Sequence, residues 1–337
     1  MPNVWTHFIF GQHCLKAIGE EPFIANSEQL RMFNMGCQGP DFLFYHNFLP
    51  WQNDKTMNLL GSAMHSVQCG PAIMDLLEAV VGCSPDTVPS DPALIYVLGF
   101  VLHHLLDRHM HPYVFSRSGF RKWDHQRFEV MMDTLIVRKL LGIETWKTEV
   151  WREINNKGEL PVKIVDVFEQ IVAVHYPDLA PRVRREDWCN AMLDMIRAQR
   201  LFYDPTGIKR VLTFGQIEPF VFKSHVPQLD ILNESHRAWL DPTDGKPKRN
   251  DSIWNMWDTA MVEAKAVITA ILEWLRAQHK FKKGPYSDEE FHRIAQLREA
   301  VAVLIANRSY ETGLPCDSGA EILHADPIWS NIKGSTP

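Results

Sequence analysis

The stretch Asp91–Pro112, DPALIYVLGFVLHHLLDRHMHP, decides the fold and carries the most informative pattern of the chain. Its first two residues, Asp91-Pro92, are typical of a helix start, in which an aspartate cap precedes a proline in the first turn. The apolar residues that follow predict a helix over 91–111. Pro112 is expected to end this helix, because the residue before a proline disfavours helical geometry.

The polar residues of this helix form a pattern suited to metal ions. His103, Asp107 and His111 are spaced at i, i+4 and i+8, which places one carboxylate between two imidazoles on one helical face. The next predicted helix adds His125 and Glu129 at the same four-residue spacing. Imidazole nitrogens and carboxylate oxygens are ligands of zinc, and a bridging carboxylate can hold two metal ions about 3.5–4 Å apart.

The alternative for a lone H-x3-D or H-x3-E pair is a solvated ion-pair face. Two pairs close together, with apolar Val101-Leu102 and Leu105-Leu106 beside the first, favour a partly buried metal site, because buried polar groups need partners. His104 lies about 100° from the ligand face and is expected to face solvent or to support a ligand. His109 lies about 200° from Asp107 and is not expected to be a ligand, although it stays a rival of His111.

The surrounding residues extend the pattern. Asp133 continues the face of His125 and Glu129 and is predicted to orient a ligand histidine. Upstream, Gly39-Pro40-Asp41 predicts a tight loop that presents a carboxylate. The aromatic run 42–51 follows this loop directly and is either core or an aromatic mouth for a substrate.

Composition indicates an ordinary globular protein. The 337 residues are 45% hydrophobic and 23% charged, and the net charge of -6 gives no reason to expect a broad surface for polyanions. The six cysteines are scattered and predict reduced thiols. Residues 1–7 lack the basic and apolar regions of a signal peptide, and no apolar run reaches the roughly 18 residues of a membrane span. A cytoplasmic location is therefore predicted.

Helical periodicity dominates and predicts an all-α protein. The predicted helices lie at about 55–69, 71–82, 91–111, 123–141, 145–156, 161–175, 185–201, 252–280 and 288–308. Only Val211–Phe222 resembles a strand. The polar segment 241–251 predicts an exposed loop between a helical domain at 1–240, with its metal site within 1–135, and C-terminal helices at 252–337 that pack on the same domain. After about residue 312 a tail along the surface is expected.

Taken in order, the ligand-type residues resemble the zinc-dependent phospholipases C of bacteria, which are related in fold to the S1/P1-type zinc nucleases. That family is all-helical and holds three zinc ions in a cleft. Its pattern is T-H near the mature N-terminus, P-D in a loop, a helical histidine, H-x3-D, a further histidine and H-x3-E. This chain has Thr6-His7, Pro40-Asp41, His65, His103-x3-Asp107, His111-Pro112 and His125-x3-Glu129.

The resemblance implies a ligand set for zinc. One ion would be held by Asp41, His65, His103 and Asp107, a second by His111, His125 and Glu129, and a third by His7 with Asp107 as the bridge. Two departures from the family pattern matter. In the secreted enzymes a freed N-terminal tryptophan chelates the third zinc, whereas Trp5 of this chain is internal. The gap from Asp107 to His111 is also shorter than is usual in the family. Two or three zinc ions are therefore expected.

The resemblance also implies a function. We expect a zinc-dependent hydrolase that cleaves a phosphodiester, as a phospholipase C does, by metal-activated water that Asp41 orients or deprotonates. The alternatives are an S1/P1-like nuclease or nucleotidase on the same scaffold and a non-catalytic metal-binding relative. The expected partners are a small-molecule or phospholipid phosphodiester and, at most, a transient contact with a membrane surface. No stable nucleic-acid partner is expected.

Overall fold

The computed structural model describes residues 3–83, 85–86, 91–281 and 287–331. Their α-helices are α1 Val4–Ala17, α2 Ser27–Gly36, α3 Thr56–Ser66, α4 Cys69–Ala79, α5 Pro92–Ser118, α6 Asp124–Leu141, α7 Val162–His175, α8 Arg185–Phe202, α9 Ile208–Leu212, α10 Ile253–Phe281 and α11 Asp288–Ile305. The 3-10 helices are Glu21–Ile24, Gly39–Tyr45, Thr145–Lys147, Val150–Arg152, Ala180–Arg182, Glu218–Phe220, Cys316–Ser318 and Ile328–Asn331. The all-α prediction is confirmed.

Strand structure in the described residues is limited to one short antiparallel hairpin. Its strands are β1 Trp239–Leu240 and β2 Pro247–Arg249, and Trp239 pairs with Arg249. The segment 241–251 is therefore not wholly a loop, since β2 lies inside it. The strand-like stretch Val211–Phe222 is not a strand, because it contains the end of α9, a turn and the 3-10 helix Glu218–Phe220.

Two predicted helix starts have the caps that the sequence indicates. The Asp91 side chain accepts a hydrogen bond from the amide of Ala93 at 2.8 Å, and α5 begins at Pro92. Ser287 and Glu290 form the reciprocal capping box of α11. These local bonds satisfy donors that a helix start leaves unpaired, so the sequence alone can position these ends.

The predicted end of α5 at Pro112 is wrong. The helix continues to Ser118 with the proline inside it. A proline leaves the carbonyl of the residue four positions earlier without its helical donor, which here is the carbonyl of Arg108. Gly313 lies against that carbonyl, and a Cβ at Gly313 would sit only 2.3 Å from the oxygen. Tertiary packing at this point supports a helix that local preference would end.

The predicted helix 145–156 is also wrong. The structure has two separate 3-10 turns there, Thr145–Lys147 and Val150–Arg152. The Thr148 hydroxyl donates to the carbonyl of Glu144 at 3.0 Å. Such local side-chain bonds compete with helix formation, and β-branched residues lose side-chain freedom in a helix.

The sequence did not predict the first two helices. Helix α1 is buried over most of its residues, so it lacks the polar face that would mark its period. Helix α2 is short and is capped by Asn26, whose side chain accepts from the amides of Glu28 and Gln29. The other predicted helices agree with the structure to within about three residues, the usual spread of helix ends.

Helix α5 lies at the centre of the fold. It packs against α1, α2, α4, α6 and α10, and α10 in turn packs against α11. Near the C-terminus, the indole of Trp329 donates to the carbonyl of Ser118 at 2.8 Å, so this part of the chain lies on the end of α5. The domain limits 1–240 and 252–337 stay a prediction. None of the described helices combines the length and the apolar composition needed to cross a membrane.

Candidate metal centre

Helix α5 supplies the central residues of the site. His103, Asp107 and His111 lie on one buried face, as their spacing predicts. The Nε2 atom of His103 is 3.0 Å from Oδ2 of Asp107, and the Nδ1 atom of His111 is 3.9 Å from the same oxygen. One carboxylate thus lies between two imidazoles.

The 3-10 helix Gly39–Tyr45 brings Asp41 to this face. Gly39 has a positive φ of 50°, and a Cβ there would lie 2.1 Å from the ring of His103, so a glycine is required for this close approach. Oδ1 of Asp41 lies 3.1 Å from Nε2 of His65 and 3.8 Å from Nε2 of His103. Asp41, His65, His103 and Asp107 form the inner cluster, whose four ligand atoms lie within 4.8 Å of one another.

A second group, the outer cluster, consists of His111, His125 and Glu129. Its ligand atoms also lie within 4.8 Å of one another, and Nε2 of His125 is 2.5 Å from Oε1 of Glu129. The side chains of His125 and Glu129 are 21% and 10% exposed, whereas those of the inner cluster are at most 7% exposed. The outer cluster is therefore the more accessible part of the site.

His7 approaches the inner cluster from α1. Its Nε2 atom lies 3.4 Å from Oδ1 of Asp107, and its ring stacks on that of His103 at a centroid distance of 4.2 Å. Burial alone would raise the pKa of Asp107, but His103, His111 and His7 hold it well below its usual range. Asp107 is thus an ionised carboxylate in contact with three imidazoles.

Three of the histidines share one ring orientation. The Nδ1 atoms of His65, His103 and His111 lie 2.6, 3.0 and 3.0 Å from the backbone carbonyls of Gly61, Cys37 and Tyr310. Because a carbonyl can only accept, Nδ1 carries the proton in each neutral ring and Nε2 keeps its lone pair. Metal-ligating histidines usually have this arrangement, in which the other ring nitrogen donates to a fixed partner.

The residues fit a bound cation. Among the described residues, Nε2 of His103, Nε2 of His111 and both carboxylate oxygens of Asp107 are buried without a well-formed hydrogen bond. Buried polar atoms of this kind are costly unless something satisfies them. A divalent metal would do so with the nitrogen and oxygen ligands that suit zinc.

The two other histidines of α5 have different partners. Nε2 of His104 donates to the carbonyl of Arg308 at 3.0 Å. His104 is fully buried, so it does not face solvent. Nε2 of His109 lies 2.5 Å from Oε2 of Glu263 on α10. Neither ring faces the two clusters.

Asp133 is placed differently from the prediction. Its carboxylate accepts from the amides of Trp5 and Thr6 at 3.2 and 2.7 Å and from the Thr6 hydroxyl. It therefore supports the first turn of α1, which carries His7, rather than contacting a ligand ring. Burial raises the pKa of Asp133 to about 7, although the bonds from Thr6 act against this.

Tyr310 is the part of the site that sequence reasoning missed. Its carbonyl accepts from His111, its amide donates to the carbonyl of His65 at 2.8 Å, and its ring lies 4.9 Å from that of His65. The hydroxyl of Ser309 donates to the same carbonyl of His65 at 3.2 Å. No local pattern indicates a contact across 199 residues, so only the folded chain reveals it.

Comparison with known proteins agrees with this geometry. The family model for zinc-dependent phospholipase C matches residues 6–178, just over half of the chain. The chain belongs to the zinc-dependent phospholipase C family. The matched range contains both clusters and His7, whereas Tyr310 and Glu263 lie outside it. No curated protein and no solved structure gives a significant match.

Proposed function

We propose that this member of the zinc-dependent phospholipase C family is an active hydrolase that cleaves the phosphodiester of a phospholipid. The main support is the placement of two ligand clusters side by side along α5, the inner one buried and the outer one partly exposed through His125. A structural zinc site is usually closed, whereas a catalytic site keeps a position for water and substrate.

The distances support the ligand roles that the family resemblance implies. Asp41, His65, His103 and Asp107 would hold one zinc ion, His111, His125 and Glu129 a second, and His7 would meet Asp107 at a third. Bound zinc supplies charge that stabilises the phosphoryl oxygens and lowers the pKa of a water molecule to about 7. The carbonyl partners of Nδ1 fix the rings of His65, His103 and His111, so little reorganisation is needed when the metal binds.

Asp41 is the proposed general base. Burial raises the pKa of this carboxyl well above its usual range, and His103 only partly offsets the rise. A bound cation would keep this carboxyl ionised, and an ionised carboxylate beside the metal can accept a proton from the attacking water. The loop that carries Asp41 is held by Gly39 against His103, so the carboxylate has a fixed position within the inner cluster.

Aromatic side chains next to the clusters suit a lipid substrate. Phe44 is half-exposed and its ring lies 5.3 Å from His65, while Phe115 lies 4.7 Å from His125. The run 42–51 is thus divided: Phe42 and Leu43 are core, and Phe44 borders the site. Apolar surface beside a metal centre fits a phosphodiester that carries an apolar group.

The proposal is tested by metal analysis and turnover of the purified protein. We expect zinc at two or more ions per chain and hydrolysis of phosphatidylcholine and of a chromogenic phosphodiester, both abolished by chelation and restored by zinc. Faster cleavage of single-stranded DNA would instead indicate a nuclease. Zinc-loaded protein without activity on any phosphodiester would contradict the proposal.

The role of Asp41 is tested by Asp41→Asn. An amide oxygen can still ligate weakly but cannot accept the proton, so turnover should fall by about 100-fold or more, the scale of losing a general base. Activity is measured at equal zinc content. Asp187→Asn, a change of a buried aspartate on α8, is the matched control and should keep turnover near the parent value. Near-normal activity of metal-replete Asp41→Asn would show that another group is the base.

A further inference from the structure

The segment around α9 exposes an unusual amount of apolar surface. Ile208, Val211, Leu212 and Phe214 are 59%, 76%, 72% and 94% exposed, and they lie within seven consecutive residues. Single exposed apolar residues are ordinary on protein surfaces, but a contiguous group usually marks an interaction site.

The polar residues of the same segment are fixed to the protein body. The carboxylate of Asp204 accepts from the amides of Lys209 and Arg210 at 3.1 and 3.0 Å. The ammonium of Lys209 donates to the carbonyls of Arg200 and Tyr203 at 2.8 and 2.7 Å. The apolar side chains are therefore held outward by a satisfied polar network, and their exposure belongs to a built surface.

Aromatic contacts link the elements on either side of this segment to the metal centre. Phe220 stacks on Phe202 at a centroid distance of 4.6 Å and meets Trp123 at 5.1 Å. Trp123 directly precedes α6 and lies two residues before His125 of the outer cluster. Tyr45, from the 3-10 helix that carries Asp41, packs against the apolar cluster that includes Phe202. The elements that hold both metal clusters thus also support this surface.

Two further apolar side chains are exposed on the loop before α6, where Phe220 meets Trp123. Phe120 is 59% exposed and Trp123 is 39% exposed, with the ammonium of Lys122 over the Trp123 ring at 5.0 Å. We call the six exposed side chains the apolar rim, which consists of Phe120, Trp123, Ile208, Val211, Leu212 and Phe214. Aromatic rings with neighbouring cations are typical of surfaces that enter the headgroup layer of a membrane.

The charge around the rim is opposite to that of the whole chain. Residues 120–127 and 200–216 each contain three basic residues and one acidic residue, a net charge of +2 for each segment, whereas the whole chain has -6. A local excess of Lys and Arg is attracted to anionic lipids near the membrane surface. Apolar side chains inside a basic region fit a bilayer better than a neutral protein partner.

We propose that the apolar rim binds the surface of a bilayer that contains anionic phospholipid and thereby presents the outer metal cluster to its lipids. The rim residues enter the interfacial layer, and the exposed basic side chains of Arg121, Lys122 and Arg127 contact the headgroups. The inference rests on the proposed function for the identity of the substrate, but vesicle binding does not require turnover.

The experiment measures co-sedimentation of the zinc-loaded protein with vesicles of phosphatidylcholine and phosphatidylserine in a 3:1 ratio. The double variant Leu212→Ser/Phe214→Ser should bind at least about tenfold more weakly, because it removes two large apolar side chains from the interface. The matched control is Val262→Ser/Val303→Ser, which changes two similarly exposed side chains on α10 and α11 and should bind like the parent. Added salt should weaken binding of the parent.

Each outcome decides the inference. Absence of parent binding, equal binding of the rim variant, or an equal loss in the control would overturn it, and in the first case a protein partner would be the better occupant. If the parent hydrolyses a soluble chromogenic phosphodiester but does not bind vesicles, the proposed function is supported and the membrane surface is rejected. If vesicle binding depends on the rim but no phosphodiester is hydrolysed, the membrane surface is supported and the proposed function is rejected.

Discussion

Two faces of α5 carry histidines, but different ring nitrogens of these histidines are bound to neighbouring groups. On the site face, His103 and His111 give Nδ1 to backbone carbonyls and keep Nε2 toward Asp107 and the clusters. On a second face, which begins about 100° round the helix from His103, His104 gives Nε2 to the carbonyl of Arg308, and His109 pairs with Glu263. Chemical role here depends on which ring nitrogen is left available, and the histidine content alone does not decide it.

This second face connects α5 to the C-terminal helices. The guanidinium of Arg108 lies 2.6 Å from Glu263 of α10 and donates to the carbonyl of Ile305 at 2.7 Å. Burial and the neighbouring Arg108 lower the pKa of His104 well below its usual value, so this ring is neutral and serves as a hydrogen-bond donor. The comparison shows one helix that serves chemistry on one side and packing on the other.

The largest expected effect that could break this comparison is that of Asp107→Ala. Asp107 contacts His103, His111 and His7, so its loss should weaken zinc binding by more than about 100-fold, beyond the scale seen for residues that only support a ligand. His104→Ala and His109→Ala are the matched controls, because these two rings have partners outside the clusters. Both variants should keep their zinc. Metal content is measured on purified, folded protein, and equal zinc loss in all three variants would reject the assignment of faces.

An intermediate effect is expected for Asp133→Ala, which sharpens the role of α1 at the site. The change leaves the amides of Trp5 and Thr6 without their acceptor, and it should lower the free energy of unfolding by about 2 kcal/mol. Because α1 carries His7, the zinc content should fall as well. Thr134→Val removes a neighbouring buried hydroxyl that contacts the carbonyl of Val130, so it should lower stability without changing zinc content. Unchanged zinc in Asp133→Ala would restrict its role to stability.

The smallest effect is expected for Glu263→Gln, which changes the partner of Arg108 and His109 on α10. Partial burial by itself would raise the pKa of Glu263. The bonds from His109 and Arg108 outweigh this effect and lower the pKa to about 2. A carboxyl with a lowered folded-state pKa stabilises the fold above its unfolded pKa of about 4.5, and this contribution is lost as the pH falls toward 2. Since the side chain is 27% exposed, the variant should lose only about 1 kcal/mol at pH 7.

Urea unfolding of the parent and Glu263→Gln at pH 7 and pH 3 measures this difference. It should shrink at pH 3, because most of the carboxyl's linkage energy is gone there, and zinc content at pH 7 should equal that of the parent. A stability difference that does not change with pH would show that Glu263 acts through packing. Zinc loss at pH 7 would show that the two faces of α5 are not independent.

The sequence by itself determined the local features of this protein. Spacing of four residues places His103, Asp107 and His111 on one face of a helix, and the Asp91 cap begins that helix at Pro92, because both effects act within one or two turns. The all-α class follows from the same short-range periodicity. Ordered ligand-type residues in the first 130 positions were enough to indicate the family.

Only the tertiary structure decided which of these local features meet. Helical period gives directions relative to one axis, so it could not choose the partners of His104 and His109 or bring Tyr310 to His65 and His111. Nor could it show that Gly313 packs against the Arg108 carbonyl that Pro112 leaves without its helical donor, or that Phe220 meets Trp123 near His125. These contacts join residues far apart in the chain, and their energies depend on packing and burial that exist only once the helices have assembled.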